Sequence, residues 1–123
     1  MSEKIDRSKK PPDTQAFNEH FVPSEFDMLL LDIVDETLRQ IFIAEDVEVI
    51  YGYLRKKFGL KPEEFAGKPE VFSEGLKDLL GSIQPIEHLI LEKLYSKLHL
   101  KFTEKRNYTF SDHIKELRSR YSC

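Results

Sequence analysis

Apolar side chains return along this chain every three or four positions, and the returns fall into separate stretches of helical length. Ser24 opens the first. With Asp27 three residues on, it approximates a capping box, the aspartate reaching back to an exposed backbone N–H. Phe26, Leu30, Ile33, Val34, Leu38 and Ile41 then recur at helical spacing, and Leu29 and Leu31 widen the apolar arc to about half the circumference. A surface helix needs less, so this one is expected at the centre, packed on two sides. The second helix is read from Glu45 to Phe58 on Val47, Ile50, Tyr51, Leu54 and Phe58. Glu45 and Asp46 suit the positive end of its dipole, and Arg55, Lys56 and Lys57 the negative end. Gly59 then Leu60 is the expected stop: a left-handed glycine, with the leucine folded back on the last turn. The join from Phe42 to Glu45 holds no breaker, so a bent continuous helix fits there as well as two separate ones.

Pro62 and Pro69 each suit a first helical turn, where proline has no N–H to waste. The former predicts one short turn, Pro62 to Phe65. The latter opens a helix with Val71, Phe72, Leu76, Leu79 and Leu80 inward, ended by Gly81. Gly75 inside it costs about 1 kcal/mol relative to alanine, which close approach of another helix would offset. Ser82 is read as the cap of the next helix, with Pro85 in its first turn and Ile86, Ile90, Leu91, Leu94 and Leu98 buried. Residues 100–108 alternate weakly around Lys105-Arg106-Asn107, which fits a short hairpin or an extended loop. Thr109 with Asp112 repeats the cap pattern, and Phe110, Ile114, Leu117 and Tyr121 form the last helix. The expectation is an all-α fold: a compact bundle of four main helices plus one short helical turn, with consecutive helices as antiparallel neighbours.

The 123 residues are 40% apolar and 33% charged, which suits one globular domain and argues against a disordered chain. Residues 1–22 lack periodicity and carry Pro11-Pro12, so they read as an arm ahead of a single helical domain over 23–123. No uninterrupted apolar run exceeds four residues, as in Met28 to Leu31, so no span of a bilayer is expected. Nor does an apolar stretch follow Lys4, Arg7, Lys9 and Lys10, as a secretory signal would require. The single cysteine, Cys123, forms no internal disulfide framework and no thiolate metal cluster.

The net charge of −3 is unevenly spread. Residues 23–50 hold eight acids against Arg39 alone, whereas residues 82–123 hold eight bases against five acids. Two surfaces follow: an acidic strip on the first helix, Asp32, Asp35 and Glu36, and a basic line, Lys93, Lys97 and Lys101. Charge asymmetry of this kind serves either a partner surface or two halves of one fold complementing each other. Strip on line between two copies would make a dimer whose affinity falls with salt; strip on line within one chain would make a monomer.

Motifs that carry reactive chemistry are scarce. Carboxylate-bridged metal bundles need Glu three residues before His, and here those positions are Phe17, Pro85, Ser96 and Phe110. His-Glu-x-x-His, a Gly-rich phosphate loop and a nucleophile elbow are likewise missing. His88, Glu92, Tyr95 and His99 share one stripe of a helix and could offer metal ligands, but a solvated edge with a His–Glu contact is the favoured reading. No cofactor is called for. Residues 71–95 have helix-turn-helix layout, yet the would-be reading end, Ile83-Gln84-Pro85-Ile86-Glu87-His88, offers few donors and a repelling carboxylate. Lys105, Arg106, Arg118 and Arg120 extend the basic line into an alternative nucleic-acid surface, which the overall negative charge weakens. Most aromatic residues fall on core stripes; Tyr53, Tyr95 and Tyr121, nearer the edges, are candidate partner anchors.

The run Phe26-Asp27, Ile50-Tyr51-Gly52-Tyr53-Leu54, Phe58-Gly59-Leu60-Lys61-Pro62-Glu63, Phe72-Ser73-Glu74-Gly75-Leu76 and Phe110-Ser111-Asp112-His113-Ile114 resembles the archaeal Nitrosopumilus output domain family, fifth type. The resemblance covers roughly residues 25–120 and rests on core and cap positions. It implies an archaeal, cytoplasmic helical module, alone or attached to signal-transduction proteins, with no established activity and no functional residues to carry over. The combined expectation is a non-enzymatic helical protein-interaction and signalling output module, its partner a protein or a second copy of the chain. A nucleic-acid-binding regulator using the basic C-terminal third is the alternative.

Overall fold

In a computed structural model of the chain, which describes residues 24–121, Ser24 and Asp27 cap the first helix reciprocally. The Ser24 hydroxyl accepts the Asp27 N–H at 3.1 Å, and the Asp27 carboxylate accepts the Ser24 N–H at 3.3 Å. The expected arm, residues 1–22, and Cys123 lie outside the described residues. Five α-helices follow: α1 (Glu25–Ile41), α2 (Ala44–Phe58), α3 (Pro69–Leu80), α4 (Gln84–Lys97) and α5 (Phe110–Tyr121), with one 3-10 turn, Pro62–Glu64, between α2 and α3. The all-α class is as expected. The bundle has five helices where four were expected, because each of the five periodic stretches forms a helix of its own.

The first and second helices are separate. Phe42 and Ile43 are both extended, at ψ 153° and 163°, and the break carries Phe42 against the core while leaving Ile43 exposed. Helix α2 ends as the sequence predicts: Gly59 is left-handed at φ 63°, the Leu60 N–H returns to the Leu54 carbonyl at 3.1 Å, and Leu60 is buried. The cap of α4 differs. Ile83 rather than Ser82 stands at its N-cap, without a side-chain hydrogen bond. Burial of Ile83 decides that register and leaves Ser82 on the surface.

Helix α1 is the hub, in contact with α2, α4, α5 and the 3-10 turn. Its most extensive partner is α4, not its sequence neighbour α2; the other large contact joins α2 to α3. The expectation that consecutive helices are neighbours therefore fails for α3 and α4, which diverge after Gly81 (φ 86°) instead of packing side by side. Leu30, Leu54, Leu76 and Leu94 are all at most 1% exposed, each burial worth about 1.5–3 kcal/mol. Gly75 is the close approach the sequence asks for: a Cβ there would stand 2.3 Å from Leu54 Cδ2 and 3.3 Å from Phe58 Cδ2.

Residues 100–108 form an extended loop with a turn at Arg106-Asn107, and no strand is found among the described residues. The loop is held by side chains rather than by a ladder, with the Phe102 ring 5.2 Å from Tyr95 and 5.5 Å from His113. Helix α4 enters it without a glycine. His99 takes φ 60°, its N–H bonds the Ser96 carbonyl, and the Leu100 N–H bonds the Tyr95 carbonyl at 2.9 Å. That is a Schellman closure with histidine in the left-handed position.

Candidate functional site

Where α3 and α4 part, the loop 100–108 and the start of α5 complete an open cleft of about 1110 Å³. Ile83, Leu91, Phe102 and Phe110 give it an apolar lining; ionisable side chains from α3, α4, the loop and α5 ring it. Some of these are tied to one another. Glu70 pairs with Lys115 across α3 and α5, and the His88 ring sits between Glu92 (3.1 Å) and Glu104 (3.2 Å). Asp112, in the first turn of α5, accepts the N–H of the capping Thr109 at 2.9 Å, and that bond helps hold its carboxyl below the usual value. The Ser73 hydroxyl donates to Glu87 Oε2 at 2.7 Å. Burial pushes the Glu87 carboxyl above its ordinary value, against the opposing pull of that hydroxyl and of the Lys77 charge.

At the base of the cleft His113 is buried inside an aromatic cage. Its Nδ1 shares a 2.9 Å hydrogen bond with the Tyr95 hydroxyl, and the Tyr95 and Tyr108 rings meet it edge-on at 5.8 and 4.7 Å. Burial, helped by the Lys105 charge, lowers the His113 pKa below its usual value, so the ring is held neutral. The Tyr108 hydroxyl donates to Glu116, a bond that with partial burial pushes its pKa up to about 12.

The residues singled out from sequence lie elsewhere and only partly meet. Lys93 reaches from α4 to α1, its ammonium 3.3 Å from Glu36 Oε2 and bonded also to the Gln40 side chain. Strip and line thus touch within one chain. Asp35 turns to α2: it accepts Arg39 Nε at 2.9 Å and the Tyr51 hydroxyl at 2.8 Å. Burial works to raise its pKa, but those two bonds hold it below the carboxylate norm, while Tyr51 is driven upward by its own burial and by Asp35. Asp32, Lys97 and Lys101 are exposed and make no ion pair among the described residues.

The metal stripe does not assemble. Tyr95 turns inward to His113, His99 is exposed beyond the helix end, and no cluster of three or more His, Cys, Asp or Glu suited to a metal occurs among the described residues. Tyr95 is therefore a core residue rather than a partner anchor. Tyr53, half-buried, bonds Asp78, whereas Tyr121 is 41% exposed. Sequence reasoning missed the His113 cage, although His113 stands on the same stripe of α5 as Phe110, Ile114 and Leu117. No helix among the described residues is long and apolar enough to cross a membrane.

Set against known proteins, the chain matches no family model, no curated protein and no solved structure at a significant level.

Proposed function

We propose that this domain is a non-enzymatic interaction module that binds a partner protein in the cleft between α3, α4 and the loop 100–108. The observation that carries this reading is the cleft's construction: an apolar lining of Ile83, Leu91, Phe102 and Phe110 inside a polar rim braced by the Glu70–Lys115 and His88–Glu104 pairs. A wide trough with an apolar bed and a polar rim has the anatomy of a protein-binding surface. A signalling output role in an archaeal cytoplasm is part of the proposal and is supported by the resemblance through residues such as Phe58-Gly59-Leu60 and Phe110-Ser111-Asp112.

A different protein suits the cleft better than a second copy docked strip on line, because Lys93 already meets Glu36 within the chain. Lys93, Lys105 and Arg118 of the basic surface are each already paired with a carboxylate of the chain, which weakens the nucleic-acid alternative. The test is selection of peptides from a random display library, with the binders mapped by amide chemical shifts. Binders that perturb Ser73, Ser82, Glu87 and Phe102 are expected. Binders that map only to other faces, or a low-salt mobility shift with duplex DNA or RNA, would overturn the assignment.

A further inference from the structure

Resting on that reading of the cleft, we infer that the partner is held through a cationic side chain, lysine or arginine, whose N–H groups meet the Glu87 carboxylate. Among the carboxylates around the cleft, Glu87 is the half-buried one that lacks a bonded cation. Glu70 has Lys115, Glu104 has His88, and Asp112 has the backbone N–H of Thr109. Glu74 is exposed. Glu87 has only a neutral hydroxyl, from Ser73 on Oε2; its Oε1 accepts no hydrogen bond among the described residues, and Lys77 acts on it through space without an ion pair.

A carboxylate withdrawn from water without a cation is costly, and an arriving ammonium or guanidinium offsets that cost with charge-assisted hydrogen bonds. Its methylene stem would lie along the cleft wall beside Glu87, which Ile83 and Leu91 line with the small part of their surface left open, and Phe102 with more. Arginine has the advantage of a planar fork, able to donate to the open Oε1 while its second nitrogen shares Oε2 with Ser73.

The test is an amide-shift titration with acetyl-Gly-Arg-Gly-amide and with the peptide in which citrulline, neutral and nearly isosteric, replaces arginine. The arginine peptide is expected to shift Ser73, Ser82 and Glu87 saturably, and the citrulline peptide to bind about tenfold more weakly or worse. Glu87→Gln should abolish the difference between the two, while Glu74→Gln should preserve it. Glu87→Gln is expected to fold, because it removes a half-buried charge and keeps a group that the Ser73 hydroxyl can bond, and a melting curve at or above wild type will show that. Equal responses to both peptides, no response to either, or a preference for arginine that survives in Glu87→Gln would overturn the inference. Library-selected peptides that map to the cleft without a basic residue would overturn it alone; binders that avoid the cleft would overturn the functional reading beneath it.

Discussion

Arg118, on α5, grips Asp27, in the first turn of α1, with two nitrogens: Nε stands 2.9 Å from Oδ1 and Nη2 3.2 Å from Oδ2. The two residues are 91 positions apart, so this contact joins the ends of the described chain. Asp27 is the more committed partner, its side chain 1% exposed against 34% for Arg118. Burial alone would raise the Asp27 pKa, but the guanidinium and the Ser24 N–H outweigh it and hold the carboxyl below its usual value.

Arg118→Ala should therefore lower stability by about 2 kcal/mol in urea denaturation. That is less than a fully buried pair loses, because the arginine is one-third exposed, but more than a surface bridge is worth. Adding Asp27→Asn should recover part of the loss by removing the stranded charge. A change within about 0.5 kcal/mol on Arg118→Ala would show that the pair holds nothing.

Gly75→Ala puts a methyl where Leu54 Cδ2 already lies, 2.3 Å away. Helix propensity favours the alanine by about 1 kcal/mol, and overpacking opposes it by about 1–3. The expected net loss is about 1 kcal/mol. In a Leu54→Ala background only the 3.3 Å approach to Phe58 Cδ2 is left, and the same substitution should cost clearly less. Equal effects in both backgrounds would refute the contact.

His99→Gly should raise stability by about 0.5–1 kcal/mol, since a side chain held at φ 60° loses energy that glycine does not. Thermal melting reads this directly, and a lowered melting temperature would mean that the histidine side chain contributes more than its backbone conformation costs.

The buried imidazole of His113 gives the fold a pH dependence of definite sign. Its folded pKa is depressed below the usual 6.5, so its contribution is complete above pH 6.5 and is lost as pH falls through the folded value. Glu87, raised by burial, works in the opposite sense: its contribution is full below pH 4.5 and declines as pH rises through its folded value. Stability measured from pH 7 down to pH 5 should fall in the wild type. In His113→Gln the same interval should be flatter, though the whole curve sits lower. An unchanged slope would show that the His113 imidazole does not carry this limb.

Asp27, Asp35, Asp78, Asp112 and Glu116, all depressed by their partners, add a second acid limb that begins near their ordinary values, 3.8 for the aspartates and 4.5 for the glutamate.

Much of this fold was legible because its cues are local. Ser24 with Asp27 and Thr109 with Asp112 cap helices through groups three residues apart, and Gly59-Leu60 stops one through a single turn. Even the cost of Gly75 pointed correctly to a helix pressed against it, although nothing in the stretch named Leu54 as the neighbour. Ile83 shows the limit. Ser82 is the better cap by chemistry, yet burial of the isoleucine takes the N-cap position, and burial is settled by distant residues.

Periodicity by itself determined that apolar stripes would close into an all-α core, because side chains returning every three or four residues have no other way to leave water together. It also determined most helix ends, where capping groups and the atoms they satisfy lie within one turn. Only the tertiary structure decided which stripes meet: that α1 packs on α4, that Lys93 meets Glu36 and Arg118 meets Asp27, and that α3 and α4 part to open a cleft over Phe102 and His113. Those are contacts between positions tens of residues apart, set by how side-chain shapes fill a shared interior, and shape complementarity leaves no spacing in the chain to read.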